Sequence, residues 1–453
     1  MSRGVAVAVG IGLLVRLLFA FGYWVDKPLT HDEQEYLHLA GNVAAGRGLT
    51  YDASAAAPDV ERFGRAPLYP LLLALVARVA PTAHLLAAIR VAQSILGAVA
   101  IALLALVARR AAGPSAGTLA AWIAALYPPL VWMPAYVLSE SLYVPLAFGN
   151  VLLVGRLIDS GERFPSSAPS RQLLMSGVFG GLAALTRPVH VFYLITVGAW
   201  LLLKRQLWWA MLVVIGALIV IAPWTARNYH EYGRLVLIAS EGGITFWTGN
   251  HPLSPGEGDM AANPAIKRDN QRLRAEHPGL TAEELEPIYY REAIGRIASQ
   301  PRWWLGLELR KLFYLIVPTG PSYKLHSARY FAATLVSYGL LLPFGCAGLV
   351  MLARRGRWPR SLGLLLLSAI VACLIFFPQE RFRVPAIDPV LIVGAAAVLV
   401  RRQPFVVSPS AAPFALSSSK GESGAQDRPV GPRTRNMTPF RSSFDTHRPK
   451  GAF

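Results

Sequence analysis

The 453-residue chain is 54% hydrophobic and only 15% charged, with a mean hydropathy of +0.41. A soluble domain carries about a quarter charged residues; here the apolar residues form long blocks with short charged punctuation, which excludes a soluble protein and predicts a polytopic α-helical membrane protein. The formal net charge of +18 would elsewhere suggest a nucleic-acid partner, but these lysines and arginines sit between apolar blocks and near the C-terminal end, where membrane topology accounts for them.

The first apolar stretch, 4–24, is long enough to span and closes on Tyr23 and Trp24, an interfacial aromatic pair. Arg16 interrupts its apolar core and no small-x-small cleavage site follows, which favours an uncleaved helix over a secretory signal. At mid-span Arg16 either faces protein or a polar cavity, or it snorkels to the surface. Further spans are expected at 84–108, 115–133, 137–157, 172–186, 188–203, 207–224, 330–353, 361–377 and 384–400, about ten in all. With the N-terminus inside, the clusters Arg109-Arg110, Arg156/Arg163/Arg171, Lys204-Arg205, Arg354-Arg355-Arg357-Arg360 and Arg401-Arg402 all fall on the cytoplasmic side. Counting either 67–80 or 302–318 as a span would invert every later cluster. Both therefore read as helices in the outer interface, the first short and holding Arg78, the second carrying Glu308, Arg310 and Lys311.

This topology leaves long outer loops at 25–83 and 225–329 and a short one at 378–383 in a transmembrane domain of residues 1–402. In the second loop Leu285, Ile288, Tyr289, Ala293 and Ile297 recur at helical spacing, which predicts an amphipathic helix ending before Pro301, with Glu283, Glu284 and Glu286 in its first turn. Residues 403–453 are rich in Ser, Pro, Arg and Gly and poor in aliphatics, so they read as a disordered cytoplasmic tail. Cys346 and Cys373 lie inside apolar segments and read as small buried hydrophobes. No internal repeat of the transporter kind is visible.

Asp32 and Glu33 stand just past the first span, at the head of the first outer loop. Thr30-x-x-Glu33 fits a capping box, and a plain helix start explains the acids. The functional reading is a carboxylate beside an apolar wall, suited to base work. Arg187, in Leu-Thr-Arg-Pro, sits in an outer turn where positive-inside statistics disfavour it; pairing with Glu140 is the structural alternative. Arg227, Glu380, Arg381 and Arg383 raise the same question at other outer span ends. Lipid headgroups, acid pairs or the phosphate of a lipid-linked substrate would all satisfy such arginines. Lys311 joins them or snorkels. The chain has no Walker loop, G-x-G-x-x-G after a strand, His-Glu-x-x-His or Cys-x-x-Cys, which argues against ATP or a dinucleotide and fits a substrate activated beforehand.

Taken in order, Thr30-His31-Asp32-Glu33, Arg-x-Pro-x-Tyr-Pro at 65–70, Leu185-Thr186-Arg187-Pro188, Pro223-Trp224-x-x-Arg227-Asn228 and Glu380-Arg381-Phe382-Arg383-x-Pro385 resemble the GT-C glycosyltransferases. The resemblance is to bacterial relatives of the protein O-mannosyltransferases and the lipid A aminoarabinose transferase, over residues 5–400. It implies an all-α GT-C-like fold in a bacterial inner membrane, both termini cytoplasmic and the site facing the periplasm. It also implies an inverting transfer of a sugar from a polyprenyl-phosphate donor to a lipid, glycan or protein hydroxyl. On that resemblance Asp32 is the base and Glu33 a second acid, and Arg227, Arg381 and Arg383 hold the donor phosphate, with Arg187 and Lys311 as further candidates. Some members use a divalent metal, for which His31, Asp32 and Glu33 are available, although no cofactor is required. The rival reading is a polyprenyl-lipid or solute transporter, which would place polar groups at mid-membrane, as only Arg16 and Asn150 do here. A ligase or polymerase of the O-antigen kind and a scaffold without chemistry also stay open. The transferase reading expects Asp32, Arg227 and Arg381 to converge on one cavity.

Overall fold

A computed structural model describes residues 2–25, 27–50, 64–159 and 170–400. The expected tail at 403–453, the Arg401-Arg402 pair, Arg163 and residues 51–63 of the first long loop lie outside them.

Among the described residues the regular structure is entirely helical. Helix α1 (Arg3–Gly22) is followed by α2 (His31–Ala44), α3 (Leu68–Val79) and α4 (Leu85–Ala112). Then come α5 (Pro114–Leu126), the short α6 (Pro128–Trp132), α7 (Glu140–Ile158), α8 (Ser170–Thr186), α9 (His190–Leu203) and α10 (Leu207–Tyr232). A smaller group follows: α11 (Gly242–Gly249), α12 (Pro264–Glu276), α13 (Ala282–Ser299) and α14 (Pro301–Ile316). The chain returns through α15 (Ala328–Arg354), α16 (Arg360–Ile375), α17 (Glu380–Arg383) and α18 (Ile387–Leu399). Every expected span is thus helical. Five of the helices are long and apolar enough to cross a membrane unaided, six if the bent α5–α6 pair counts as one span; α9, α16 and α18 are shorter apolar helices. The interfacial readings also correspond to separate helices, α3 and α14, and α14 leaves Leu305, Leu309, Phe313 and Ile316 exposed. Helix α13 starts on a Thr281–Glu284 capping box and buries Leu285, Tyr289 and Ala293 against Trp247 of α11 and Ile266 and Leu273 of α12.

The expected span 115–133 is broken by about 65° between α5 and α6. Its cause is local. Pro128 and Pro129 lack the N–H groups that would bond the carbonyls of Ala124 and Ala125 four residues back. Arg16 supplies the missing donors, with Nη2 3.1 Å from the Ala124 oxygen and Nη1 3.3 Å from that of Ala125. Of its two expected settings, Arg16 takes the one that faces protein, buried at 2% exposure. Close helix contact elsewhere depends on small residues: a Cβ on Gly348 of α15 would lie 1.8 Å from the Gly394 oxygen of α18. Up-and-down threading collects 127–140, 186–190, 225–327 and 376–386 at the same end of the bundle as α2, and the functional candidates lie in these connections, on α2 or just before α3.

Candidate active site

The capping box expected at Thr30 forms. Glu33 accepts from the Thr30 N–H at 2.8 Å, and its other oxygen accepts from the Val137 N–H at 2.8 Å. This anchors the start of α2 to the loop before α7 and presents Asp32 in the first turn, where the helix dipole favours an anion. Asp32 faces a cavity of about 610 Å³. Its lining combines charged side chains with the apolar Phe192, Leu365, Ala369, Ala372, Phe376 and Phe377.

The charged side chains around Asp32 form a chain of alternating ion pairs. Glu241 at the start of α11 meets Arg65 at 2.9 Å, Arg65 meets Asp32 Oδ1 at 3.0 Å, and Asp32 Oδ2 meets Arg381 of α17 at 2.5 Å. Arg381 continues to Glu140 at 3.3 Å, and Glu140 closes on Arg187 at 2.5 Å. Arg65 also holds Glu35 of α2 through its Nε, at 2.8 Å, and through Nη2. Burial works to raise the Asp32 pKa, but the adjacent Arg381 and Arg65 outweigh it and hold the carboxyl well below the usual range. Asp32 is therefore a carboxylate at neutral pH, with both oxygens engaged. Buried pairs of this kind do not by themselves argue for stability, because desolvation offsets the attraction. Residues kept at such expense at a cavity wall point to function.

The same cavity is lined by Glu380, which lies 3.8 Å from His326 Nε2, and by Trp132 and Tyr330, whose rings are in contact as are those of His326 and Tyr330. The Glu380 carboxyl bonds the Thr334 hydroxyl at 3.1 Å. Burial pushes its pKa up to about 7, against the pull of Arg383.

Of the residues expected in the site, Asp32, Arg381 and Arg187 line this cavity together. Glu33 does not: its oxygens are used by Thr30 and Val137, so it is an anchor behind Asp32 and not a second acid beside it. Arg227 lies elsewhere, bonded to the Leu49 carbonyl and the Tyr232 hydroxyl and stacked on Trp224 with its guanidinium carbon 5.0 Å from the ring centre. Arg383 turns away into the bundle, ion-paired with Asp388 at 3.0 Å and placed over Tyr338. Lys311 is fully buried with three acceptors, Glu308, Asn250 and the Leu374 carbonyl, which match the three donors of an ammonium. The expected convergence thus holds for Asp32 with Arg381 and not for Arg227.

Sequence reading missed Arg65, Glu35 and Glu241 as site residues. Arg65 stood in a motif noted only for resemblance. Glu35 was legible in principle: three residues past Asp32 on a capped helix, it shares that residue's face. Nothing in sequence spacing announces Glu241.

The ligand atoms of His31, Asp32 and Glu35 lie within 4.8 Å of one another, a spacing that would suit a metal ion. Glu35, not Glu33, is the third member. The donor chemistry does not fit, however. Asp32 Oδ1 and Glu35 Oε2 both accept from Arg65 Nη2, and Asp32 Oδ2 accepts from Arg381.

The fold is that of a multi-pass membrane protein and resembles the GT-C fold. A family model described as dolichyl-phosphate-mannose-protein mannosyltransferase matches residues 64–226, the segment that holds Arg65, Glu140 and Arg187. Among solved structures, the chain is similar to the Archaeoglobus fulgidus oligosaccharyltransferase in complex with Zn and sulfate, at 15% identity and a TM-score of 0.51, over 87% of this chain and 48% of that one. The same enzyme tethered to an acceptor peptide gives 14% identity and a TM-score of 0.50, over 87% and 49%. ArnT from Cupriavidus metallidurans bound to undecaprenyl phosphate matches at 15% identity and a TM-score of 0.42, over 87% of this chain and 77% of that one. The chain spans about half the length of the oligosaccharyltransferase chains. No curated protein sequence matches it.

Proposed function

We propose that this protein is a membrane glycosyltransferase that moves a sugar from a polyprenyl-phosphate donor to an acceptor hydroxyl on the periplasmic face of a bacterial inner membrane, with inversion at the anomeric carbon. One observation carries the reading: an ionised carboxylate, Asp32, paired to Arg381 at 2.5 Å in a cavity lined by both charged and apolar side chains. The apolar wall suits a lipid chain, the arginines suit its phosphate, and the carboxylate suits the acceptor proton. The family model and the solved neighbours support the same class of chemistry.

In this mechanism the donor phosphate takes hydrogen bonds from Arg381 and Arg187. Arg381 then no longer ties up Asp32 Oδ2, whose basicity rises as that cation's charge is shared with the phosphate. The acceptor oxygen attacks the anomeric carbon and loses its proton to Asp32. The carbon–oxygen bond to phosphate breaks, its electrons leaving with the polyprenyl phosphate, whose charge the two guanidiniums neutralise. The transporter reading gains no support from the two mid-bundle polar groups that motivated it. Arg16 caps the broken helix α5, and Asn150 bonds His190 at 3.1 Å within the bundle.

The test is transfer from a labelled polyprenyl-phosphate sugar by the full chain in lipid nanodiscs. Asp32→Asn should lower the rate by about 10²-fold or more, the range of a lost general base. Arg381→Ala should weaken donor binding. Undiminished transfer by Asp32→Asn would sink the base assignment.

A further inference from the structure

The metal-like spacing of His31, Asp32 and Glu35 conflicts with what those side chains do. A divalent ion at that point needs the carboxylate oxygens as ligands, and Arg65 already holds them. Its Nη2 bonds Asp32 Oδ1 at 3.0 Å and also Glu35, its Nε bonds Glu35 at 2.8 Å, and its Nη1 bonds Glu241 at 2.9 Å. The side chain of Arg65 is 11% exposed and that of Glu35 6%, and the guanidinium carbon stands 5.5 Å from the Tyr36 ring centre. To enter, an ion would have to expel Arg65 and leave a buried guanidinium without its three acids, which is strongly unfavourable. With Arg65 in place, the ion would meet a cation on each side of Asp32, because Arg381 holds the other oxygen.

We propose that Arg65 takes the place of a divalent metal in this acidic cluster, holding Asp32 and offsetting part of the charge of three carboxylates, so that the chain works without a metal ion. The fork geometry suits the task. A guanidinium offers five donors in one plane, so it can tie Asp32, Glu35 and Glu241 together as a metal's coordination sphere would, and it stays charged at every physiological pH. It differs from a metal in having no open coordination position, so Arg65 acts through Asp32 and is a positioning residue. The proposal rests on the reading of Asp32 as the acting carboxylate.

The test reads metal binding directly, apart from any transfer activity. The full chain in nanodiscs is stripped with chelator and titrated with Mn²⁺, followed by electron paramagnetic resonance, and in parallel with Zn²⁺ by equilibrium dialysis. Wild type should show no stoichiometric site, and its transfer rate should not change on chelation. Arg65→Met or the more polar Arg65→Gln should gain one site per chain, and adding Glu35→Gln should remove it. One equivalent of either ion on wild type, lost in Glu35→Gln, would overturn the proposal. It would equally be overturned if neither Arg65 variant gained a site while remaining folded by its melting curve. Failure of transfer in all samples would leave these binding results untouched, which separates this proposal from the functional one.

Discussion

Replacing Arg16 by Met removes the two donors that serve the broken end of α5 while keeping an unbranched side chain of similar length. The carbonyls of Ala124 and Ala125, bonded at 3.1 and 3.3 Å, would then face a dry interior. Pro128 and Pro129 have no N–H to offer in exchange. An orphaned buried acceptor costs about 1–3 kcal/mol, so two cost about 2–6 kcal/mol. Against this, the variant no longer desolvates a buried guanidinium, which offsets part of the loss. The Gly12 carbonyl, a third acceptor at 2.9 Å, keeps its place in α1. A net loss on the order of 3 kcal/mol follows, visible as a fall of several degrees in the melting temperature in detergent. Arg16→Lys should fall between, since one ammonium can still reach a carbonyl. The decisive comparison is a cycle with Pro128→Ala,Pro129→Ala, which returns two backbone donors to the break; there Arg16→Met should cost less than in wild type. Equal melting curves for wild type and Arg16→Met, or the same penalty in both backgrounds, would refute the capping account.

Other outcomes follow from the geometry. Glu33→Gln should lower thermal stability by about 1–3 kcal/mol, because an amide cannot accept from both Thr30 and Val137, while the transfer rate at a permissive temperature stays within a few fold of wild type; a loss matching that of Asp32→Asn would restore Glu33 to the chemistry. Glu380 favours its proton in the folded state, so its contribution to stability is full below its ordinary pKa of 4.5 and is lost as pH rises through about 7. At 1.36 kcal/mol per pH unit that amounts to about 3 kcal/mol at most, and Glu380→Gln should flatten the fall in melting temperature between pH 5 and 8; an unchanged slope would contradict the assignment. Gly348→Ala places a methyl 1.8 Å from the Gly394 oxygen and should cost about 1–3 kcal/mol by prising α15 from α18. An unaltered melting curve would show that this contact is looser than described.

Much of the bundle was legible because hydropathy and charge punctuation act over whole segments. The long apolar blocks became helices, and the charges that disqualified 302–318 as a span sit on the separate helix α14. The break at Pro128 was less legible. Two prolines flag a weak point, yet the donors that serve the carbonyls they free come from Arg16, 108 and 109 residues away. The same difficulty explains the arginines. Each was read as a cation in need of an anion, but the sequence does not say which partner each one finds: Arg187 and Arg381 meet acids at the cavity, and Arg227 bonds the Leu49 carbonyl and the Tyr232 hydroxyl.

That gap separates Arg227, Arg383 and Lys311 from Arg381 and Arg187. Arg383 and Arg381 are two residues apart on α17, a helix of a single turn, so their side chains must leave in different directions. One goes inward to Asp388 and the other into the cavity toward Asp32. Alternation at such short range cannot be read from composition or from distance to a span end, because every residue in the turn shares both. It is set by α18, whose Asp388 is fully buried and would be an unpaired charge in the core without Arg383. Once Arg383 is committed there, the neighbouring Arg381 is the α17 cation left to face the cavity, and Asp32 with Glu140 receives it. The pairing at the cavity is thus tied to the core pairing next to it.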